Sequence, residues 1–156
     1  MKEEQNIQLS VITVTWNSAE LIDEQIRSVK LGCKNISVEQ IIIDNASSDN
    51  TEEVVKKNHT EVKFIANLEN KGFGAANNQG VKISKGEFLL FLNPDMRVEE
   101  GSLDKIYEWI KKYTQVGIVG VKLVDEKGDV NQDALPRRFP RLWEQVALIL
   151  KLPHLF

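Results

Sequence analysis

Four short apolar runs, each ending in polar residues and each followed by a segment of helical period, constrain this chain more than any other feature in it. Leu9 to Trp16 is rich in Val, Ile and Thr, which suits a strand buried on both faces. Gln40 to Asp44, carrying Ile41-Ile42-Ile43, then Val62 to Ala66, then Glu87 to Leu92, repeat the pattern. Between the first two runs, Ile22, Ile26, Val29 and Cys33 recur at helical spacing, with Asn17 and Glu20 placed as a capping box. Asp49 with Glu52 forms a second capping-box pattern before a short helix through Val54 and Val55, and Ala75 to Ser84 reads as a third helix ended by Lys85-Gly86. Strands alternating with helices in this way predict an α/β fold with a Rossmann-like, doubly wound, mostly parallel sheet. Beyond it the spacing predicts a helix from Ser102 to Tyr113 burying Leu103, Ile106, Trp109 and Ile110. A strand from Val116 to Val124, a turn at Asp125 to Gly128 and a hairpin return from Val130 follow.

Composition narrows the function classes. With 156 residues there is room for one domain with a core. The net charge of -3 argues against a nucleic-acid partner, which selects for a basic face. The single cysteine, Cys33, excludes an internal disulfide and reads as a buried thiol. Met1 to Ser10 is polar and does not read as a signal peptide, and no apolar run approaches the roughly 20 residues of a membrane span. A cytoplasmic location is expected. From residue 136 the character changes. Pro136, Pro140 and Pro153 punctuate an apolar stretch, Leu142 to Leu152, and the chain stops inside it at Phe156. The expected organisation is therefore an α/β domain over 1–135 and a tail over 136–156 that begins a further C-terminal portion.

Each strand ends in polar side chains: Thr15-Trp16-Asn17, Asp44-Asn45, Asn67 and Asn93-Pro94-Asp95. In an open α/β sheet the carboxyl ends of the strands are where ligands bind. Helix capping and turns are the plain alternative for Asn17 and Asp49, and for Asp95 beside Pro94. No glycine-rich turn follows the first strand. Trp16 stands there instead and can stack on a nucleobase, while Asp44 can accept a hydrogen bond from a pyrimidine N3–H. Gly72-Phe73-Gly74 with Asn77 is only a partial dinucleotide motif, and there is no Gly-Lys-Ser/Thr loop. Without a glycine cradle a diphosphate needs another partner, and a divalent metal on Asp95 would supply it.

Taken together, Ser10 to Asn17, Ile43 to Thr51, Asn67 to Gly80 and Gly86 to Asp95 resemble the inverting glycosyltransferases of family 2 with the GT-A fold. The resemblance runs from about Gln8 to Val124. Asn93-Pro94-Asp95 and Arg137-Arg138-Phe139-Pro140 look most like its rhamnosyltransferase-type branch. It implies that Thr15, Trp16 and Asn17 line the base and ribose pocket and that Asp44 reads the base. Lys71, Gly72 and Asn77 would border ribose and diphosphate, Asn93 the donor, and Asp95 a Mg2+ or Mn2+ ion. The implied donor is a UDP- or dTDP-linked sugar, and the implied acceptor a polysaccharide or lipid-linked glycan. A peripheral contact with the inner membrane face through the apolar tail and a homo-oligomer both stay open. The family's general base lies further downstream; Asp125, Glu126, Asp129 and Asp133 do not match it, so the catalytic residue is unknown. The chain then carries the donor-binding half of an enzyme and would bind a nucleotide without transferring sugar. A non-catalytic nucleotide-binding or scaffold module of the same fold is the competing reading. A nucleotidyltransferase or a phospho-receiver domain would need a basic glycine-rich loop or clustered acids after the first strand, and Thr15-Trp16-Asn17-Ser18 is neither.

Overall fold

The structure of the chain, a computed structural model, describes residues 6–125 and 127–130. The expected boundary at 135/136, Glu126, Asp133, Arg137, Arg138, the Leu142 to Leu152 stretch and His154 lie outside the described residues. The chain divides into two compact units, Met1–Thr114 and Gln115–Phe156.

The first unit alternates strand and helix: β1 (Leu9–Thr15), α1 (Ile22–Gly32), β2 (Val38–Asp44), α2 (Thr51–Asn58), β3 (Lys63–Ala66), α3 (Phe73–Ile83), β4 (Phe88–Phe91) and α4 (Ser102–Lys112). The four strands form one parallel sheet in the order β3-β2-β1-β4. β1 and β2 lie at the centre, which is why they are the longest and most β-branched runs. Their side chains alternate between two apolar layers. Ile12, Ile41 and Ile43 pack with Ala76 of α3 on one face. On the other, Leu9 and Val11 meet Val29 and Leu103, and Ile42 meets Ile22, Ile26 and Val55. The residues of each layer are buried from water, the main favourable term for a chain of this size. Helix α3 approaches the sheet closely because Gly80 has no side chain: a Cβ there would lie 2.5 Å from Ile12 Cγ2. Glu39 stitches three strands, accepting from Ser10 Oγ, from Lys63 Nζ and from the Lys85 N–H. Burial opposes its ionisation, but the Lys63, Ser10 and Lys85 hydrogen bonds outweigh that and hold its carboxyl below the usual range.

Several local expectations change. Neither capping box forms. The residues flanking the starts of α1 and α2 are Leu21 and Asn50, and neither makes a side-chain cap. Asn17 sits at φ 52, in the left-handed region, and its side chain bonds the neighbouring loop instead. Glu52 pairs with Lys56 one turn on. Lys85-Gly86 does not end α3, which closes at Ser84 with that residue's N–H on the Gly80 and Val81 carbonyls. The apolar seam of α4 runs through Leu103 and Tyr107, with Ile106 and Ile110 half-buried; Trp109 turns outward and stacks on Tyr113 with ring centroids 4.4 Å apart. Cys33 is half-buried just past α1, and burial together with the nearby Asp104 pushes its thiol up to about 12, so it is unreactive at neutral pH.

In the second unit the expected strand from Val116 to Val124 is not formed. Its residues have the composition of a strand but no ladder partner among the described residues, and Ile118 is almost fully exposed. The hairpin return is present in its shortest form, a Val124–Val130 antiparallel bridge closed over a turn with Gly128 at φ 84.

Candidate functional site

Strand order reverses between β1 and β4: from β1 the chain moves outward through β2 to β3, then returns to the far side of β1 as β4. A doubly wound sheet opens a crevice at the carboxyl edge of such a switch point, because the flanking connections leave on opposite faces. A crevice of about 460 Å³ lies there, lined by Thr15, Trp16, Asn17, Ser18, Leu21, Asn45, Asn70, Phe73, Asn93, Pro94 and Asp95 together with Val14.

The β1 end supplies one wall. Trp16 is 61% exposed, so a large apolar ring is presented to water with no protein partner over most of its face. The loop carrying it is locked to the loop after β2. The Asn17 N–H donates to Ser47 Oγ at 2.8 Å, the Ser48 N–H donates to Asn17 Oδ1 at 2.8 Å, and the Ser18 N–H donates to Thr51 Oγ1 at 2.9 Å. Asp49 closes the clasp, accepting from the Ala19 N–H at 3.0 Å and the Thr51 N–H at 3.0 Å. Partial burial raises its pKa, but bonds from Thr51 Oγ1 and from the Ala19 and Thr51 N–H groups win, so the carboxyl sits below its ordinary 3.8. A depressed folded pKa means the clasp's contribution is present above the unfolded value and is lost as pH falls through the folded one. We expect the Ala19 amide resonance to titrate with a midpoint below 3.8 and the step to vanish in Asp49→Asn. A midpoint at or above the ordinary value would show that the clasp does not form in solution.

Asp44 lies behind this wall. It is 3% exposed, accepts from Thr15 Oγ1 at 2.8 Å and from the Ser47 N–H at 3.0 Å, and is absent from the crevice lining. Its Oδ1 ties the end of β1 to β2, where Thr15 already pairs against Asp44, and its Oδ2 holds the turn that follows β2. Thr15 is buried with it but reaches the crevice.

The β4 end supplies the opposite wall. The Met96 N–H donates to the Asn93 carbonyl at 3.1 Å, closing a turn with Pro94 and Asp95 at its middle positions. Proline's fixed φ favours the first of these positions. Asp95 is thus a turn residue by its backbone, yet its carboxylate is exposed and takes no hydrogen bond from any described residue. The Asn93 amide beside it is likewise exposed. Both have oxygen atoms turned to solvent at the crevice.

Lys71, Gly72 and Asn77 are placed differently from one another. Lys71 borders a second depression, of about 430 Å³, at the end of β3. Gly72 stands before α3 at φ 81, a value that suits glycine, and its N–H donates to Asn70 Oδ1. Asn77 is buried, with its amide donated to the Phe73 carbonyl one turn back, and does not line the crevice. Sequence reasoning passed over Asn45, Asn70, Leu21 and Phe73 as individual site residues. Phe73 carried no signal in the sequence: the helix expected there begins at Ala75, and only the structure shows that this aromatic opens α3 and is 60% exposed.

Among the described residues, no group of three or more acidic, His or Cys side chains gathers to cage a metal. No described helix is long and apolar enough to cross a membrane. His59, buried at the end of α2, bonds Asp23 at 2.9 Å through Nε2 and lies away from the crevice residues.

Comparison with known proteins bears on what such a crevice belongs to. The chain is 36% identical over 124 residues to TarP, the poly(ribitol-phosphate) β-N-acetylglucosaminyltransferase of Staphylococcus aureus strain N315, a match covering 77% of this chain and 38% of that protein. The crystal structure of residues 1–349 of Staphylococcus aureus TarS in complex with UDP-GlcNAc superposes with a TM-score of 0.63 at 28% identity, covering 69% of this chain and 32% of that one. A mannosyltransferase from Pyrobaculum calidifontis, solved with GDP-Man and Mn2+, shares the fold at a TM-score of 0.57 and 22% identity. The chain therefore spans about a third of the length of the relatives that it matches closely. These neighbours share the GT-A arrangement, and the family description "Glycosyl transferase family 2" matches residues 10–154; the chain belongs to that family.

Proposed function

We propose that this chain is the donor-binding part of a glycosyltransferase that moves a sugar from a nucleotide diphosphate to a cell-surface polysaccharide or a lipid-linked acceptor. The observation that carries the reading is the composition of the crevice. It sets an exposed indole opposite a free carboxylate, at a strand-order reversal, with no Lys, Arg or His among its lining residues. An aromatic wall suits a nucleobase. A diphosphate facing that crevice meets no cationic side chain among the described lining residues, so its charge calls for a bound cation.

Asp95 and Asn93 fit that requirement in kind. Both are hard oxygen donors, as Mg2+ and Mn2+ prefer, and a single carboxylate is typical where the substrate's own phosphates complete the coordination. When bound, such an ion supplies Lewis-acid stabilisation of the departing diphosphate. The chain's own part is to hold the donor: Trp16 and Phe73 offer apolar faces, Asn17 offers an amide, and Asp44, holding the Thr15 hydroxyl, keeps the ends of β1 and β2 aligned beneath them. No general base is assigned.

The UDP-linked donor is supported by the UDP-GlcNAc held in the TarS structure. The finer assignment to a rhamnosyltransferase-type branch, with a dTDP-linked donor, rests on Asn93-Pro94-Asp95 and Arg137-Arg138-Phe139-Pro140. A cytoplasmic location, with the 136–156 tail against the inner membrane face, belongs to the same proposal. A second reading, a binding or scaffold module without catalysis, rests on the lack of a general base and of a group of three or more metal-ligating side chains among the described residues.

Isothermal titration of the 156-residue chain with UDP and with dTDP, each with and without Mn2+, tests the proposal. Binding is expected to tighten about tenfold or more with the metal, the scale of one charge-assisted contact. Equal affinity with and without Mn2+ would favour the scaffold module. The better-bound base separates the UDP from the dTDP assignment.

A further inference from the structure

We propose that Asn45 is a positioning residue for the crevice, acting through the loop from Asn67 to Gly72, an inference that rests on the nucleotide-binding reading above. Asn45 follows β2 and is 3% exposed, yet its side chain is spent on neighbours across the chain and not on its own turn. Its Nδ2 donates to Asn70 Oδ1 at 2.8 Å, and its Oδ1 accepts from the Lys71 N–H at 3.0 Å and from Asn67 Nδ2 at 3.2 Å. Asn70 Oδ1 then accepts the Gly72 N–H at 2.9 Å, immediately before α3 begins. At its other end the network is tied to α3, where Asn67 and Gln79 exchange two amide bonds of 2.8 and 3.0 Å.

One buried amide thus serves as donor and acceptor to three residues of a loop whose other anchorage is at its first residue, where Asn67 bonds Gln79 and its N–H donates to the Asp44 carbonyl at 2.8 Å. Leu68 is fully exposed, and Glu69 and Lys71 are exposed as well. Two crevice residues, Asn70 and Phe73, stand on or directly after this loop. Their placement follows from Asn45 because Asn70 bonds it directly and Phe73 is carried by Gly72, whose N–H is held through Asn70. An amide is required on both counts: a carboxylate keeps the acceptor and loses the donor, and alanine loses both.

That difference makes the test residue-specific. In Asn45→Ala, amide exchange at Lys71 and Gly72, followed by NMR, should rise about tenfold, the scale of one lost hydrogen bond. In Asn45→Asp, Lys71 should stay protected, because an acceptor remains. Gly72 should lose protection, because Asn70 must turn its amide toward the new carboxylate and withdraw its oxygen. UDP affinity in Mn2+ should fall about fivefold or more in both variants, with melting temperatures within a few degrees of the unaltered chain. Unchanged exchange at Lys71 and Gly72 in both variants would overturn the proposal. So would raised exchange with unchanged UDP affinity, which would leave Asn45 a loop anchor unconnected to binding. Failure of the unaltered chain to bind UDP is a separate outcome. It would sink the nucleotide reading, while the exchange pattern still decides whether Asn45 sets the loop.

Discussion

Asp95→Ala in the full 156-residue chain is expected to abolish the Mn2+ enhancement of UDP binding, so that titrations with and without the metal become superimposable. Asp95 is the one carboxylate among the residues lining the crevice, and no lining residue is cationic. With it removed, an ion beside the diphosphate would keep a neutral amide from Asn93 as its protein contact, and a neutral ligand cannot offset the cost of stripping water from a small dication. Asp95→Asn should behave almost as badly, because shape is preserved and charge is not. Neither change should disturb folding, since the side chain is exposed and takes no hydrogen bond from a described residue; a stability change within about 0.5 kcal/mol is expected. Retention of a full metal effect in Asp95→Ala would remove Asp95 from the site and move the metal, if any, to residues elsewhere.

The second large effect concerns stability. Gly86→Ala should lower stability by about 3 kcal/mol or more and the melting temperature by roughly 10 °C. A Cβ at Gly86 would lie 2.4 Å from Ser10 N and 2.8 Å from Leu9 C, both backbone atoms of β1. β1 cannot recede, because it is paired on both edges, to β2 and to β4. The approach is fixed further by the Gly86 N–H on Ser10 Oγ at 2.8 Å and the Glu87 N–H on the Ile7 carbonyl at 3.1 Å. Gly74→Ala is the matched comparison. A Cβ there meets nothing within 4 Å, and the position is inside α3, so alanine should be neutral or stabilising by up to about 1 kcal/mol. Thermal melts of the two variants check both statements. A Gly86→Ala melt within about 2 °C of the unaltered chain would mean that β4 does not enter the sheet as described.

Gly86 also shows where reading from sequence stops. After a helical run, Lys85-Gly86 reads as a helix terminator, since glycine adopts the left-handed φ that many helix ends need. Gly86 is not among the positive-φ residues, however, and its value lies in the side chain it lacks. A close backbone approach between residues 76 positions apart leaves no local signature. The capping boxes failed for a related reason. Asn17 and Asp49 have the right chemistry to cap helices, but Asn17 bonds the loop after β2, and Asp49 divides its carboxylate between the Thr51 N–H at the start of α2 and the Ala19 N–H; the two cross-loop contacts span 31 and 30 residues. A loop side chain goes to whichever donor is nearest in space, and chain spacing does not tell which that is.

What the sequence alone determined is the set of elements and their burial. Runs such as Ile41-Ile42-Ile43 can be stable only with both faces covered, and the periodic Ile22, Ile26 and Val29 supply a covering helix, so an α/β sheet follows from local patterns. Polar strand ends, and with them Trp16, Asn93 and Asp95 as candidates, were legible for the same reason: ligands bind where buried strands stop. Tertiary structure decided the order β3-β2-β1-β4, and therefore that the ends of β1 and β4 form one crevice while Asp44, between β1 and β3, turns inward against Thr15 and Ser47. It also decided the roles of Asn45, Asn70 and Phe73, and that Val116 to Val124, although strand-like in composition, forms no strand. The physical reason is common to all of these. Propensity and periodicity act within a few residues, whereas pairing, hydrogen-bond partners and close approach depend on which distant segments the folded chain brings within about 3 Å.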